Sequence, residues 1–317
     1  MIQVESKKLS SEDCQIIASI VISARKGTPL ELDKTIDELA VNIEDLSKNV
    51  DYQIFIARNE KMIIVGWIYY YVGIAPMAFI NGFLPIVDQS SESEKIGLSL
   101  INASKRNVVE RGYSRLEIQN DLPSDAHRKM SGDLLNWYKK CGFKFAAEEM
   151  HMKTNLGKIK LPEYNIPNGY TLRKFSEVSY EQLEDVGFQV LQNSGDELFI
   201  SMSQAEQKVS IEYFFDKSRN FIEDGSLILE KQGKVVGFII TRVNGEEADI
   251  GPFGLIPEVR GQGLGKYLLG FALNNMIENG FVSVCLDVST SNLSAKRLYN
   301  SYGFENMYYK RFYYWSP

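Results

Sequence analysis

The chain has 317 residues, 44% of them hydrophobic, which is enough to bury two ordinary cores, so two domains of about 150 residues are expected. The formal net charge is -6 and the isoelectric point is about 5.3. No basic stretch interleaved with aromatic residues is present, so nucleic acid is excluded as an expected partner.

Cysteine and histidine usage predicts a reduced protein without a metal site. The three cysteines are Cys14, Cys141 and Cys285. Their odd number and wide spacing predict free thiols and a cytoplasmic location. The two histidines, His127 and His151, have no partner at metal-ligand spacing. Residues 1–15 carry charges and lack an apolar run, so no secretory signal is predicted.

Hydrophobic periodicity in the first half predicts a mixed order of strands and helices. The predicted strands are 2–7, 53–58, 63–72, 77–87, 115–119 and 144–152, and the predicted helices are 11–24, 32–46, 94–110 and 134–141. Residues 62–87 carry no charge and are long enough to span a bilayer. Their glycines, prolines and strand-forming residues instead favour two buried strands around a turn, so no membrane segment is predicted.

The second half repeats this order. The predicted strands are 169–175, 226–231, 234–243, 249–257, 283–288 and a last region through 315, and the predicted helices are 179–192, 204–217, 264–279 and 291–302. The predicted core of the strand near 283–288 is Val282, Val284, Leu286 and Val288. Gly112-Tyr113 matches Gly280-Phe281, and an insertion in the first half is predicted near 122–131. The predicted domains are 1–156 and 169–317, joined by a linker at 157–168.

The most informative segment follows the strand at 249–257. Glycines stand at alternate positions, which are Gly261, Gly263 and Gly265. This spacing lets backbone N–H groups point toward one place, and the helix that follows adds its free amides and positive dipole end. The segment therefore predicts an anion site. One alternative is a dinucleotide-binding turn. It would need a glycine where Lys266 stands, although Asp287 lies at about the sequence separation expected of the acid that binds the ribose. The other alternative is a plain surface turn.

A second motif lies downstream of this glycine loop. It consists of Asn292, Ala295, Leu298, Tyr299, Gly303 and Phe304. With the loop at 260–265, in this order and separated by a helix and a strand, it resembles the GNAT superfamily of acyl-CoA-dependent N-acetyltransferases. The resemblance implies an α/β fold of two tandem GNAT-like domains, each a mostly antiparallel sheet with flanking helices. Tandem chains of this length include mycothiol synthase-like enzymes, but no residue here selects their acceptor.

The resemblance implies acetyl-CoA as co-substrate and an amine as acceptor. The implied cofactor-binding residues are Leu255, Ile256, Arg260, Gly261, Gln262, Gly263, Leu264, Gly265, Lys266 and Asn292. The loop would hold the pyrophosphate, Asn292 the pantetheine arm, and the backbone near Leu255 the thioester. A solvated surface arginine is the alternative for Arg260, and a simple helix cap is the alternative for Asn292.

The implied chemistry needs a base and an acid. A protonated amine is not a nucleophile, so a group must take its proton. Glu247 and Asp249 are the candidate bases because residues two apart on a strand face one side; Glu246 faces the other, and a water chain is the alternative. Tyr299 is the implied acid for the CoA thiolate, with ring packing as the alternative. The aromatic segment 308–315 lines an acceptor pocket or packs the closing strands.

The first half lacks the loop. Glu92 stands opposite Arg260 and Lys95 opposite Gly263, while Tyr138 matches Tyr299. Glutamates repel a pyrophosphate, so the first domain is predicted to bind no acyl-CoA.

Two other functions stay open for the chain. One is a non-catalytic acyl-CoA sensor; the other is a Fem-type aminoacyltransferase, which pairs two GNAT-like domains but lacks this loop and uses tRNA, a poor partner for an acidic chain.

Overall fold

The computed structural model describes residues 2–74, 76–159 and 166–317, without the side chain of Asp133. The chain divides into two compact units: unit 1 is Met1–Ala146 with Lys310–Pro317, and unit 2 is Ala147–Tyr309. Residues 147–156 thus fall in unit 2 rather than in the first predicted domain, because their strand pairs with a strand of the second half. Residues 160–165 of the predicted linker at 157–168 lie outside the described residues, so the linker stays a prediction.

Unit 1 is a sheet flanked by helices. Its strands in sheet order are β1 (Gln3–Ser6), β2 (Tyr52–Arg58), β3 (Ile64–Ile74), β4 (Met77–Asn81) and β6 (Arg115–Leu122), with β5 (Ile86–Val87) paired to β3. Its helices are α1 (Ser11–Arg25), α2 (Ile36–Lys48), α3 (Ser93–Glu110) and α4 (Asp125–Lys140). β4 and β6 pair in parallel, and the other described pairs are antiparallel.

Unit 2 has the same plan. Its strands in sheet order are β7 (Lys144–Asn155), β12 (Ser283–Ser289), β11 (Glu247–Leu255), β10 (Lys234–Asn244), β9 (Leu227–Lys231) and β8 (Tyr170–Lys174). Its helices are α5 (Tyr180–Gln192), α6 (Glu197–Ile200), α7 (Gln204–Phe214), α8 (Leu264–Glu278) and α9 (Leu293–Asn300). The last strand, β13 (Glu305–Trp315), begins in unit 2 and ends in residues assigned to unit 1. The predicted mixed, mostly antiparallel sheets with flanking helices are confirmed.

Two hydrophobic clusters cover the two faces of the unit 2 sheet. One joins α8 and α9 to β11 and β12 and includes Leu268, Leu273, Tyr299, Ile250 and Leu286. The other joins α5 and α7 to β9 and β10 and includes Val190, Ile211, Ile228, Phe238 and Ile240. Alternate residues along a strand face opposite sides, so β10 contributes to both clusters. The sheet is therefore fixed from both sides, and the site is built on its central strands.

Several predicted elements differ from the structure. The strand predicted at 77–87 is divided into β4 and β5, and α6 was not predicted. The helix predicted at 134–141 begins at Asp125, because the Ser124 hydroxyl accepts a hydrogen bond from the His127 N–H and caps it. The insertion at 122–131 is therefore mostly helix. Val282 is exposed rather than in the core, because β12 begins one residue later.

Segment 62–87 forms strands rather than a membrane helix. It contains β3, β4 and β5. Within the described ranges, no helix combines the length and the apolar character that crossing a membrane requires.

Candidate active site

β11 and β12 separate at the centre of the unit 2 sheet. They pair at three positions, 248–250 with 284–286, whereas β11 continues to Leu255 and β12 to Ser289. The register of β10 against β11 shifts between Ile239 and Thr241, a bulge that leaves Gly251 and Pro252 unpaired with β10 and bends the strand. In the described pairing, the edge of β11 at 251–255 that faces β12 has no strand partner. Apart from the Leu255 oxygen, which accepts a hydrogen bond from Arg260, its backbone groups are available to a ligand.

The glycine loop, residues 260–265, connects the end of β11 to α8. Gly261 and Gly263 have φ angles of 75° and 77°, in the left-handed region where a side chain is strained. Gly263 is the N-cap of α8, and no side chain caps this helix. The first N–H groups of α8 and its positive dipole end are therefore available to an anion such as a phosphate.

A cavity of about 360 Å³, the glycine-loop cavity, is lined by the loop, the free end of β11 and the start of α9. Its lining residues are Val190, Asn193, Ser194, Phe253, Gly254, Leu255, Arg260, Gly261, Gly263, Gly265, Asn292, Ser294, Ala295, Leu298 and Tyr299. The predicted cofactor-binding residues in this lining are Leu255, Arg260, Gly261, Gly263, Gly265 and Asn292. The structure thus gathers most of the predicted residues around one elongated space.

Four predicted cofactor-binding residues lie outside this lining. Leu264 is 1% exposed and belongs to the core, and Ile256 packs against the same core. The Gln262 carboxamide oxygen accepts a hydrogen bond from the Tyr170 hydroxyl at 3.1 Å. Lys266 is exposed. Any contact that these residues make with a ligand in the cavity would therefore come from their backbone groups.

The Arg260 guanidinium binds carbonyl groups. Its Nε donates to the Leu255 oxygen at 2.9 Å, and its Nη1 donates to the Asn193 oxygen at 2.6 Å. Asn193 is the C-cap of α5, an end at which cations bind the last carbonyls favourably. The observed role of Arg260 is therefore to hold α5, β11 and the glycine loop together.

Asn292 and Tyr299 stand at the start and in the middle of α9. Asn292 caps the helix, because its Oδ1 accepts a hydrogen bond from the Ala295 N–H at 3.1 Å, and it also lines the cavity. Tyr299 is 6% exposed, and its ring lies 6.3 Å from that of Phe253. Burial raises the pKa of Tyr299, so its hydroxyl keeps its proton at neutral pH.

A second cavity of about 340 Å³, the polar cavity, adjoins the first, because Ser194, Phe253, Asn292 and Tyr299 line both. Its other lining residues are Glu149, Leu191, Asp196, Leu198, Tyr213, Phe214, Arg219, Arg242, Asp249, Ile250, Gly251, Pro252, Asp287, Val288 and Ser289. Four of these carry carboxyl groups and two carry guanidinium groups. A polar ligand here would meet an extended ligand from the glycine-loop cavity beside Tyr299.

Asp249 is the candidate base that lines the polar cavity. It pairs in register with Arg242 on β10 and with Cys285 on β12. The Cys285 Sγ lies 3.6 Å from Asp249 Oδ1, and burial, followed by the charge of Asp249, raises the pKa of this thiol to about 12. Cys285 therefore stays a neutral thiol beside the carboxyl group.

Glu247 does not meet the expectation that both carboxyl groups face the cleft. Glu247 is not among the described residues that line the glycine-loop cavity or the polar cavity. It forms an ion pair with Lys153 of β7 and accepts a hydrogen bond from the Ser283 hydroxyl at 2.8 Å. These hydrogen bonds lower the pKa of Glu247. The strand period placed the two carboxyl groups on one face, but it did not predict the lysine that β7 supplies.

Sequence reasoning missed the basic residues of the polar cavity and a histidine beside it. Arg242 is 7% exposed and follows the apolar run 235–240 of β10, which is the signal that the sequence offered, because an arginine that becomes buried needs partners. Arg219 follows α7 without any such signal. His151 Nδ1 lies 2.8 Å from Asp287 Oδ1, and the Tyr308 ring stacks on the imidazole at 4.6 Å. That pairing joins β7 to β12, and a single sequence does not predict it, because the two residues lie far apart in the chain.

The corresponding region of unit 1 is closed. β4 and β6 pair over five positions, from Met77 with Arg115 to Asn81 with Gln119. A Cβ atom on Gly82 would lie 2.4 Å from the Gln119 carbonyl oxygen, so the backbone that follows β4 still contacts β6 after the last paired residue.

Tyr138, the counterpart of Tyr299, packs in this closed region. It is fully buried, and its hydroxyl donates to the Leu84 carbonyl at 2.7 Å. Glu92 is the N-cap of α3 and forms an ion pair with Lys95. The sequence comparison placed Glu92 opposite Arg260. In the structure, however, α3 begins earlier than this comparison predicts, so Glu92 is the N-cap of α3, the position that Gly263 holds in α8 of unit 2.

Residues 196–304 match the model of the Acetyltransferase (GNAT) family. This match covers the glycine loop, the separated strands and the α9 motif. These residues therefore form a GNAT-family acetyltransferase domain, which lies in the C-terminal part of the chain.

Two kinds of curated relative share this motif. A mycothiol acetyltransferase from Thermomonospora curvata is 29% identical over 160 residues, which are 49% of this chain and 50% of the relative. A [ribosomal protein bS18]-alanine N-acetyltransferase from Escherichia coli is 35% identical over 86 residues, which are 27% of this chain and 58% of the relative. The chain thus spans little more than half the length of the curated relatives it matches.

Two solved structures resemble the whole chain in fold. A GCN5-related N-acetyltransferase from Sphaerobacter thermophilus has a TM-score of 0.59 at 16% identity, covering 99% of this chain and 95% of that one. A tandem GNAT protein from the clavulanic acid biosynthesis pathway has a TM-score of 0.53 at 15% identity, covering 100% and 98%. At such identities the likeness shows the fold alone.

Gly263→Glu is expected to lower acetyl-CoA affinity at least tenfold, or about 1.4 kcal/mol, because it places a side chain and a negative charge beside the first amides of α8. Gly280→Glu at the other end of α8 is the matched control. Both glycines have φ angles near +80°, and a Cβ atom added to either would meet no neighbouring atom within 4 Å, so the backbone strain is similar. Isothermal titration calorimetry should show wild-type affinity for Gly280→Glu alone; equal affinity in both variants would contradict the loop's role.

Proposed function

We propose that the protein is an acetyl-CoA-dependent N-acyltransferase that moves an acetyl group to a primary amine by direct attack within a ternary complex. The observation that carries this proposal is the junction of the two cavities. Phe253, Asn292 and Tyr299 line both, so a cofactor on one side and an acceptor on the other would meet beside a buried hydroxyl. Holding two reactants together in this way is itself a large part of catalysis.

The glycine loop and the free edge of β11 divide the binding of acetyl-CoA between them. The amides at the start of α8 would hold the pyrophosphate. The pantetheine arm would lie along residues 251–255, where its amides replace the missing strand partner. A backbone N–H near Leu255 would then stand where negative charge develops on the thioester oxygen. Arg260 would act on this site by holding the loop, through its bonds to Leu255 and Asn193.

Asp249 and Tyr299 would handle the protons. The acceptor ammonium must lose a proton before it attacks, and Asp249, one of the four carboxyl groups that line the polar cavity, would accept it. When the carbon–sulfur bond breaks, the CoA thiolate leaves, and Tyr299, kept protonated by its burial, would supply the proton. Release of free CoA thiol on addition of amines separates this enzyme from a non-catalytic acyl-CoA sensor, which would bind acetyl-CoA and release none.

Tyr299→Phe should lower turnover about 100-fold while the acetyl-CoA affinity stays near that of the wild type, because the ring remains and the proton is lost. Tyr138→Phe is the matched control in unit 1. It loses a hydrogen bond to the Leu84 carbonyl, so it should reduce stability by about 1 kcal/mol and leave turnover unaffected. Turnover is followed by thiol release over a panel of amines, and stability by urea unfolding. Unchanged turnover in Tyr299→Phe would return this tyrosine to a packing role.

Asp249→Asn should flatten the acidic limb of the pH profile of kcat/KM. In the wild type, activity should fall at low pH as the carboxylate takes up a proton, and an amide cannot titrate. Glu247→Gln is the control, since Glu247 pairs with Lys153 outside both cavities, and it should keep the limb. A limb that persists in Asp249→Asn would assign the base to water or to another group.

Unit 1 should bind no acyl-CoA, so titration should give one acetyl-CoA per chain. The paired β4 and β6, the buried Tyr138 and the carboxyl group of Glu92 at the start of α3 leave neither a free strand edge nor a site for phosphate. Two saturable sites of similar affinity by calorimetry would contradict this, and Gly263→Glu should remove the single site.

A further inference from the structure

Arg242 is buried at the wall of the polar cavity with part of its guanidinium unused. It is 7% exposed, and its Nη2 donates to the Phe214 carbonyl at 2.6 Å. Its Nη1 is buried and has no hydrogen-bond partner among the described residues. A buried donor without a partner costs about 1–3 kcal/mol, and more when the group is charged. Arg242 belongs to the lining of the polar cavity, so a ligand there is the candidate partner of this guanidinium.

A second cation adds to this cost. Arg219 also lines the cavity, stacks over the Tyr213 ring at 3.6 Å and donates to the Tyr213 carbonyl at 3.2 Å. The two cations line the same cavity and repel each other, and burial, followed by the charge of Arg219, lowers the pKa of Arg242. Asp216 lies near both but accepts hydrogen bonds from the N–H and hydroxyl of Ser218. An oxyanion between the arginines would relieve both the repulsion and the unused donor.

The rest of the cavity carries the opposite charge. Glu149, Asp249 and Asp287 line it from β7, β11 and β12, and Asp196 lines it from the start of α6. Arg242 and Asp249 are direct cross-strand partners, so their Cα atoms lie about 5 Å apart and their side chains share one face. A ligand that spans these walls needs a cationic end near Asp249 and an anionic end near Arg242, separated by few atoms.

We propose that the acceptor amine also carries a carboxylate, which Arg242 and Arg219 bind, so that the substrate is a small amino acid. The amine part rests on the proposed function, whereas the carboxylate part rests on the two arginines alone. A planar carboxylate accepts two parallel hydrogen bonds from a guanidinium, and a cavity of about 340 Å³ suits a molecule of this size.

Ligand-observed saturation-transfer NMR with butyrate and butyramide tests the carboxylate site without any turnover. With CoA present, wild-type protein should bind butyrate at least tenfold more tightly than butyramide. Arg242→Gln should remove this preference, Arg242→Lys should keep part of it, and Arg219→Gln should weaken it even if Arg242→Gln does not fold. Arg297→Gln, on the exposed side of α9, is the control and should bind as the wild type does. Equal binding of the two probes, or a preference that survives both glutamine variants, overturns the proposal.

A turnover assay then tests the substrate class. Amino acids such as L-leucine should exceed their carboxamides at least tenfold in kcat/KM, and this ratio should approach one in Arg242→Gln. Preference for the carboxamides overturns the proposal, and a preference for 2-aminoethyl phosphate over amino acids overturns the carboxylate while keeping the oxyanion site. If butyrate binds as expected but no amine releases CoA, the proposed N-acyltransferase function fails and the carboxylate site stands.

Discussion

The separation of β11 from β12 is the constraint on which the rest of the site depends. Two strands that pair fully leave no backbone group for a ligand, and here pairing stops after three positions. The bulge at Gly251 and Pro252 bends β11, and α5 packs so tightly on it that a Cβ atom at Gly254 would lie 2.3 Å from Val190. A glycine is thus needed at the point where the helix holds the bent strand.

Each other part of the site acts on this gap. The glycine loop follows the end of β11 and leads to the uncapped start of α8, Arg260 fixes the loop to α5, and Tyr299 lines both cavities from α9. Unit 1 illustrates the opposite outcome on the same plan. There β4 and β6 stay paired, and Tyr138, which corresponds to Tyr299, donates a hydrogen bond from its hydroxyl group to a backbone carbonyl. The same arrangement of strands and helices therefore leaves a gap where the two parallel strands separate, and leaves none where they stay paired.

The polar cavity follows from where the helices stop covering the sheet. α5 and α7 pack on Ile228, Phe238 and Ile240, and the same sheet face continues past them with Arg242, Asp249 and other charged residues. Under the proposed function, charges of both signs in this cavity favour an acceptor that is itself charged at both ends. The net charge of the chain says nothing about this arrangement, because it sums over the whole surface.

The sequence by itself determined the features that are local in the chain. Element order follows from hydrophobic period, the glycine loop from the conformational freedom of glycine, and the α9 start from the capping preference of Asn292. The motif from Arg260 to Phe304 then identified the family. These are properties of neighbouring residues, so one sequence is enough to read them.

Tertiary structure alone decided what distant residues do to each other. It paired Lys153 with Glu247, so that of the two candidate bases only Asp249 lines the polar cavity. It turned Arg260 toward backbone carbonyls and placed Arg242 and Arg219 in the lining of one cavity. It also assigned residues 147–156 to unit 2, through the pairing of β7 with β12. Strand neighbours and the charges they bring together come from segments far apart in the chain, and periodicity within one segment carries no information about which partner will lie beside it.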